Sequence, residues 1–307
     1  SDGAVRAMCW KQACVFTRGI VLAWGVCRGS AFGEGLDRTN VLLILIDTLR
    51  ADHVGCYGYP KATTPNVDRV AREGVRFANA YTASPWTMPS VMTLFTSLPP
   101  SVHGASSYER RASLKATTLA ELLRRLGYRT AGFVGNPTVH ARYGFAQGFE
   151  CYDDHTLFLA HELNLFETED PPLRSGRASV SGSWSIVDAV TSPGVSRLGS
   201  EWLAREGRRG PWFLFLLYFD PHEHYAPPAP WDRRFDPHPA AESRRNRVTA
   251  QQLVAQSRGP GTEPRAGSEP ARGSVSDLRE HLVALYDGEI GHTDDCVGQV
   301  LATLDTL

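Results

Sequence analysis

The sequence has no surplus of charge of either sign. Its 307 residues carry 32 basic and 33 acidic side chains, a net charge of -1. No global field therefore argues for a nucleic-acid or membrane partner, and no nucleic-acid-binding module signature occurs. No apolar run reaches 18 residues, so no membrane-spanning helix is expected. The six cysteines (Cys9, Cys14, Cys27, Cys56, Cys151 and Cys296) form no C-x-x-C pair, which argues against a zinc ribbon or a dense disulfide scaffold. Also missing are a P-loop, a G-x-G-x-x-G after a strand, and a G-x-S-x-G around a candidate serine.

What is present begins at Asn40. Val41, Leu42, Leu43, Ile44, Leu45 and Ile46 run unbroken and stop at Asp47. Such a run reads as a strand buried on both faces, and in open α/β sheets ligands gather at the carboxyl ends of such strands. Asp47 is thus a candidate site carboxylate; the alternative is an acid that only caps a helix. Upstream, Lys11 and Arg18 precede the short apolar stretch 19–27 and the small residues Gly29, Ser30 and Ala31. Residues 1–38 therefore resemble a weak secretory signal or a flexible leader, pointing to a secreted or periplasmic location, although Arg28 sits where a cleavage region is usually uncharged.

Along the chain, Thr64 and Pro65 open a helix with Val67, Val70 and Ala71 on its buried side and Gly74 at its end. Residues 75–81 read as a short strand. Pro89 suits an early helical turn, which puts Thr87 at or just before a helix N-terminus, where free N–H groups and the dipole favour negative charge. Thr87 is then a candidate nucleophile, or simply an N-cap. Thr118 caps a helix carrying Leu119, Leu122, Leu123 and Leu126 on one side, and residues 129–134 form the next strand, ending at Gly135 and Asn136. Residues 157–166 read as helical, 174–185 as a surface loop, and 198–205 as a helix. A second unbroken apolar strand, 212–219, ends at Asp220 and is followed by His222, Glu223 and His224. Two imidazoles and an acid after a buried strand are a metal-ligand pattern, or an ordinary surface turn. Residues 232–274, rich in Arg, Pro, Gly and Ser, read as a flexible insertion, and a long helix starts at Ser276 and runs to the end. Alternation of strands and helices gives the fold class: α/β, a central mostly parallel mixed sheet flanked by helices.

Taken in order, the segments 44–52, 55–58, 64–68, 84–90, 127–130, 219–222 and 286–290 resemble the sulfatase branch of the alkaline phosphatase superfamily. The resemblance implies a catalytic domain over 39–307 that hydrolyses sulfate or phosphate esters with a divalent metal: calcium, or zinc or manganese if the centre is binuclear. It implies Asp47, Thr87, Asp220 and His224 as metal ligands, Thr87 as nucleophile about 3–5 Å from the Asp47 carboxylate through a shared ion, and His222 and Asn136 against the substrate. His222 and His224 match competing family patterns for the metal-holding and substrate-contacting roles. Thr87 stands where sulfatases carry the Cys or Ser oxidised to formylglycine; Thr at that position and Val91 in place of the motif's Arg make formylglycine chemistry unexpected. Thr48 replaces a second acid, and Asn136 a lysine. No Asp-His-Gly or Asp-Asn-Gly occurs, so the chain is expected to hold the nucleophile half of a split site, incomplete at its C-terminus and poorly active alone. Expected partners are small-molecule, glycan or lipid esters. Phosphoryl transfer to a sugar or lipid, or a catalytically dead scaffold, are the other readings.

Overall fold

The computed structural model describes residues 20–24, 39–108, 110–113, 115–154, 191–223, 225–236 and 275–307. Among the described residues five strands build one sheet: β1 (Ile20–Trp24), β2 (Val41–Ile46), β3 (Arg129–Val134), β4 (Cys151–Asp153) and β5 (Trp212–Tyr218). Their spatial order is β1-β2-β5-β3-β4. β2, β5, β3 and β4 are mutually parallel, and β1 lies antiparallel on the outer edge of β2. The mostly parallel mixed sheet inferred from the alternation of elements is the architecture observed. The apolar stretch that reads as a leader core supplies β1, which pairs Ile20 with Ile46.

Seven helices accompany the sheet among the described residues: α1 (Pro65–Glu73), α2 (Thr87–Thr96), α3 (Pro100–His103), α4 (Leu119–Arg125), α5 (Ser192–Glu206), α6 (Trp231–Arg234) and α7 (Val275–Asp305). Alternate residues of each strand point to opposite faces. Leu42, Ile44, Ile46, Leu214, Leu216 and Tyr218 join a core that includes Val195, Leu203, Ile290, Val297 and Leu301 from α5 and α7. Leu43, Phe213, Phe215 and Leu217 join the opposite core with Met88, Val91, Met92 and Phe95 of α2. Every residue of β5 is buried, which explains why its sequence shows no polar alternation.

Helix ends are fixed both by their own residues and by side chains from distant elements. Thr118 and Glu121 form a reciprocal capping box at the start of α4. The Thr64 side chain does not cap α1; instead the buried Asp294 carboxylate of α7 accepts from the N–H groups of Asn66 and Val67, both at 2.9 Å. Gly291 of α7 lies directly under the Trp231 ring, where a Cβ would collide with it.

Several expectations change. Residues 75–81 form no strand: Val75, Phe77 and Tyr81 are exposed, Tyr81 by 91%. On α4, Ala120 is the buried residue, while Leu122 and Leu126 are exposed because the helix is only seven residues long and presents a narrow face to the core. Residues 232–236, expected to start the flexible insertion, belong to the fold through α6 and the His281 Nδ1 to Asp236 ion pair at 2.9 Å. Residues 237–274, together with the expected helix at 157–166 and loop at 174–185, lie outside the described residues.

Candidate active site

Three parallel strands deliver their carboxyl ends to one edge. β2 ends at Ile46, β3 at Val134 and β5 at Tyr218. The residues immediately beyond them, Asp47, Gly135–Asn136 and Phe219–His222, therefore converge for a topological reason. The Asp47 N–H bonds the Tyr218 carbonyl at 3.0 Å and the Gly135 N–H the Leu217 carbonyl at 2.8 Å, which extends the pairing one residue past each strand.

Thr87 is the first residue of α2, with Trp86 as N-cap. Its hydroxyl donates to the Asp47 carboxylate, 3.1 Å from Oδ2 and 3.3 Å from Oδ1. The acid at the strand end and the hydroxyl at the helix start, which the family resemblance pairs through a shared ion, are joined here by a direct hydrogen bond. The buried Asn136 donates its Nδ2 to Asp47 Oδ2 at 2.5 Å. Its Oδ1 accepts from Thr138 N–H and Oγ1, each at 2.7 Å. That second pair of bonds fixes the amide orientation, so the NH2 group faces the acid. Thr48 N–H donates to Asp47 Oδ1 at 2.9 Å.

Burial raises the Asp47 pKa above its ordinary value; the His222 charge and the bonds from Thr87, Asn136 and Thr48 act in the opposite direction. His222 is therefore close enough to Asp47 for their charges to interact. Its ring stacks on Phe219, centroids 4.5 Å apart and planes at 16°, and its Nδ1 pairs with the Glu223 carbonyl at 2.8 Å. A carbonyl acceptor keeps a proton on Nδ1, so any proton the ring exchanges with a ligand passes through Nε2.

Asp220 is placed differently. Its Oδ2 accepts from Thr191 N–H at 3.1 Å, Ser192 N–H at 2.9 Å and Ser192 Oγ at 2.6 Å, all at the start of α5. The carboxylate thus works as the cap of that helix, a task a sequence window around β5 does not reveal. Behind it lies Glu289 of α7, 6% exposed, whose Oε1 accepts from Ala226 N–H at 2.7 Å. Its Oε2 has no hydrogen-bond partner among the described residues. Burial pushes the Glu289 carboxyl up to about 9, and the Asp220 charge adds to that rise. His224 lies outside the described residues.

A divalent cation needs several oxygen or nitrogen ligands turned to one point. Asp47 and Thr87 offer a carboxylate and a hydroxyl, Asn136 offers an N–H group, and Asp220 is engaged by α5. Among the described residues no group of three or more His, Cys, Asp or Glu could hold a metal ion. The set does not complete a coordination sphere.

The sulfatase family model matches residues 39–307. The chain belongs to the sulfatase family. An N-acetylgalactosamine-6-O-sulfatase of Bacteroides thetaiotaomicron is 33% identical over 108 residues, 34% of this chain and 21% of that protein. An arylsulfatase of Klebsiella aerogenes is 26% identical over 229 residues, 68% of this chain and 48% of that protein. The sulfatase chain described here thus spans less than half the length of either relative in these alignments. The crystal structure of a phosphonate monoester hydrolase of Agrobacterium radiobacter has the same fold, with a TM-score of 0.59 at 21% identity, over 87% of this chain and 59% of that one.

Sequence reasoning missed two participants. Thr48 stood out only as a missing acid, yet its backbone N–H holds Asp47. Tyr286 contacts the same turn from the far end of the chain, through its hydroxyl to the Thr48 carbonyl at 2.8 Å. No local signal marks it beyond its membership of the 286–290 segment.

Proposed function

We propose that the protein hydrolyses sulfate esters with Thr87 as nucleophile, Asp47 as the acceptor of its proton and His222 as the donor to the leaving oxygen. The observation that carries this reading is the hydrogen bond from the Thr87 hydroxyl to Asp47 at the N-terminus of α2. A carboxylate whose pKa is raised by burial is a better proton acceptor than an exposed one. As the Thr87 Oγ1–S bond forms and the ester S–O bond breaks, the hydroxyl proton passes to Asp47 and the leaving oxygen takes the Nε2 proton of a doubly protonated His222, which keeps its Nδ1 proton on the Glu223 carbonyl. Water then attacks the sulfur of the threonine sulfate, the S–Oγ1 bond breaks and hydrogen sulfate leaves; one water proton passes to Nε2 of His222, and Asp47 returns its proton to Thr87 Oγ1. The positive end of the α2 dipole and the Asn136 amide favour the anionic sulfuryl group beside Thr87.

The divalent cation expected from the family resemblance would need ligands beyond Asp47 and Thr87, and no step above runs through it. Sulfated glycans are the proposed substrate class, supported by the N-acetylgalactosamine-6-O-sulfatase relative. The test is turnover of an aryl sulfate and a sulfated amino sugar by wild type, Thr87→Ala and Thr87→Ser, with the aryl phosphate assayed alongside. Thr87→Ala is expected to lose about 10³-fold or more in kcat while Thr87→Ser keeps measurable turnover. Unchanged rates in Thr87→Ala would refute the assignment, and faster phosphate than sulfate release would move the substrate to phosphate esters.

A further inference from the structure

The Asp47 turn has an unusual backbone. Thr48 has φ of 51°, one of two non-glycine residues with positive φ among the described residues. L-residues resist this left-handed conformation because Cβ crowds the following carbonyl. It persists where the surroundings over-determine it. Here the conformation has a purpose: it turns the Thr48 N–H back onto Asp47 Oδ1 and brings the Thr48 Oγ1 to the Pro221 carbonyl at 3.1 Å. That second bond ties the turn to the loop carrying His222.

The surroundings that hold this turn come from α7. The Tyr286 hydroxyl donates to the Thr48 carbonyl at 2.8 Å and accepts from the Arg50 N–H at 2.9 Å. One oxygen therefore bridges the Thr48 carbonyl and the Arg50 N–H, the peptide groups on either side of Leu49, the residue that follows the left-handed one. Tyr286 is 6% exposed. Its ring packs edge-on to His53, centroids 5.0 Å apart, and against Tyr225 at 5.3 Å. The next residue anchors the same loop farther along. The fully buried Asp287 carboxylate accepts from His53 Nδ1 at 2.7 Å, Tyr59 Oη at 2.6 Å and Lys61 Nζ at 2.8 Å. With Asp287 fixing residues 53–61, the Tyr286 oxygen cannot follow a shifting turn; the helix is a fixed reference for it.

We infer that Tyr286 is a positioning residue for the proposed sulfuryl transfer: its hydroxyl locks Thr48 in the left-handed conformation and so aims the Asp47 carboxylate at Thr87. The inference rests on the proposed role of Asp47 for its catalytic half and on the hydrogen-bond geometry for its structural half. Without the hydroxyl, the Thr48 carbonyl and Arg50 N–H lose their shared partner. The turn then opens toward the right-handed conformation and withdraws the Thr48 N–H from Asp47.

Tyr286→Phe tests this, since it keeps the ring contacts and removes one oxygen. Amide hydrogen exchange is read at Thr48 and Arg50, with the urea midpoint recorded to confirm that the variant folds and is globally intact. Exchange at both amides should rise about tenfold relative to core amides of β5, the factor that one lost hydrogen bond corresponds to. On the proposed substrate, kcat should fall about tenfold with KM within about twofold, because the lost interaction acts on transfer rather than on binding. Unchanged exchange at Thr48 overturns the locking role. Faster exchange with unchanged kcat overturns the positioning role and leaves Tyr286 a structural residue. Absence of turnover in the wild type sinks the proposed function instead, and the Thr48 exchange then decides the lock by itself.

Discussion

Glu289 gives a stability prediction whose size follows from its burial. Its side chain is 6% exposed, one oxygen is partnered by Ala226 N–H and the other by nothing described. A buried carboxyl in that setting stays neutral, and its pKa rises from 4.5 to about 9. The sign follows directly. Between pH 4.5 and about 9 the folded protein keeps a proton that the unfolded chain has released, so folding stability falls as pH rises across that window. Each pH unit is worth about 1.4 kcal/mol, which sets a ceiling of about 6 kcal/mol over the full window, and relaxation of the site brings the observable change to about half of that. Glu289→Gln keeps the Oε1 acceptor and removes the titration. Urea unfolding of both proteins at intervals from pH 5 to pH 9 gives the comparison free of all other ionising groups. The variant should gain on the wild type steadily, by about 3 kcal/mol at the alkaline end. A difference that stays flat within about 1 kcal/mol across the range would refute the neutral buried carboxyl and require a partner for Oε2.

Two further perturbations address the site itself. Asn136→Asp replaces a donor 2.5 Å from Asp47 with a second carboxylate; like charge holds the proton on Asp47, so the acid limb of the pH–rate profile moves to higher pH and turnover at neutral pH falls about tenfold. Asp220→Asn should cost about 2 kcal/mol in urea unfolding through weakened bonds to Thr191 and Ser192, and loss of turnover with unchanged stability would assign that carboxylate to the chemistry instead.

The strands were legible where burial on both faces left unbroken apolar runs. β2, β3 and β5 fall where their sequences place them, β5 ending one residue earlier than read. The short β4 has only three residues and no such run, and the apolar run of β1 reads as a leader core because it lies between basic and small residues. Residues 75–81 failed in the opposite sense: an apolar sprinkling without a neighbouring strand to pair with stays irregular. Asp47, Thr87 and Asn136 meet because each immediately follows or begins a regular element; the rule about strand ends singles out Asp47, while the roles of Thr87 and Asn136 come from the family resemblance. Helical periodicity shows which side of α7 faces inward. It does not show that Tyr286 spends its hydroxyl on Thr48, or that Asp294 caps α1, because those partners are set by tertiary contact alone.

The reach of α7 has a consequence for how the protein is made. Tyr286 and Thr48 are 238 positions apart, and Asp294 and Val67 are 227 apart. Closing so long a loop costs little extra stability, since each doubling of length adds only about 0.6 kcal/mol, but it delays the event. At translation rates of about 5–20 residues per second, roughly 12–48 s separate synthesis of the acid-bearing turn from synthesis of the helix that locks it. During that interval the hydrophobic strand β2 exists without its final restraint and α1 without its cap. The turn that carries Asp47 is therefore synthesised well before the helix that makes it rigid. Throughout that interval the turn is open to chaperones and proteases, before the helix that holds it in the finished protein exists.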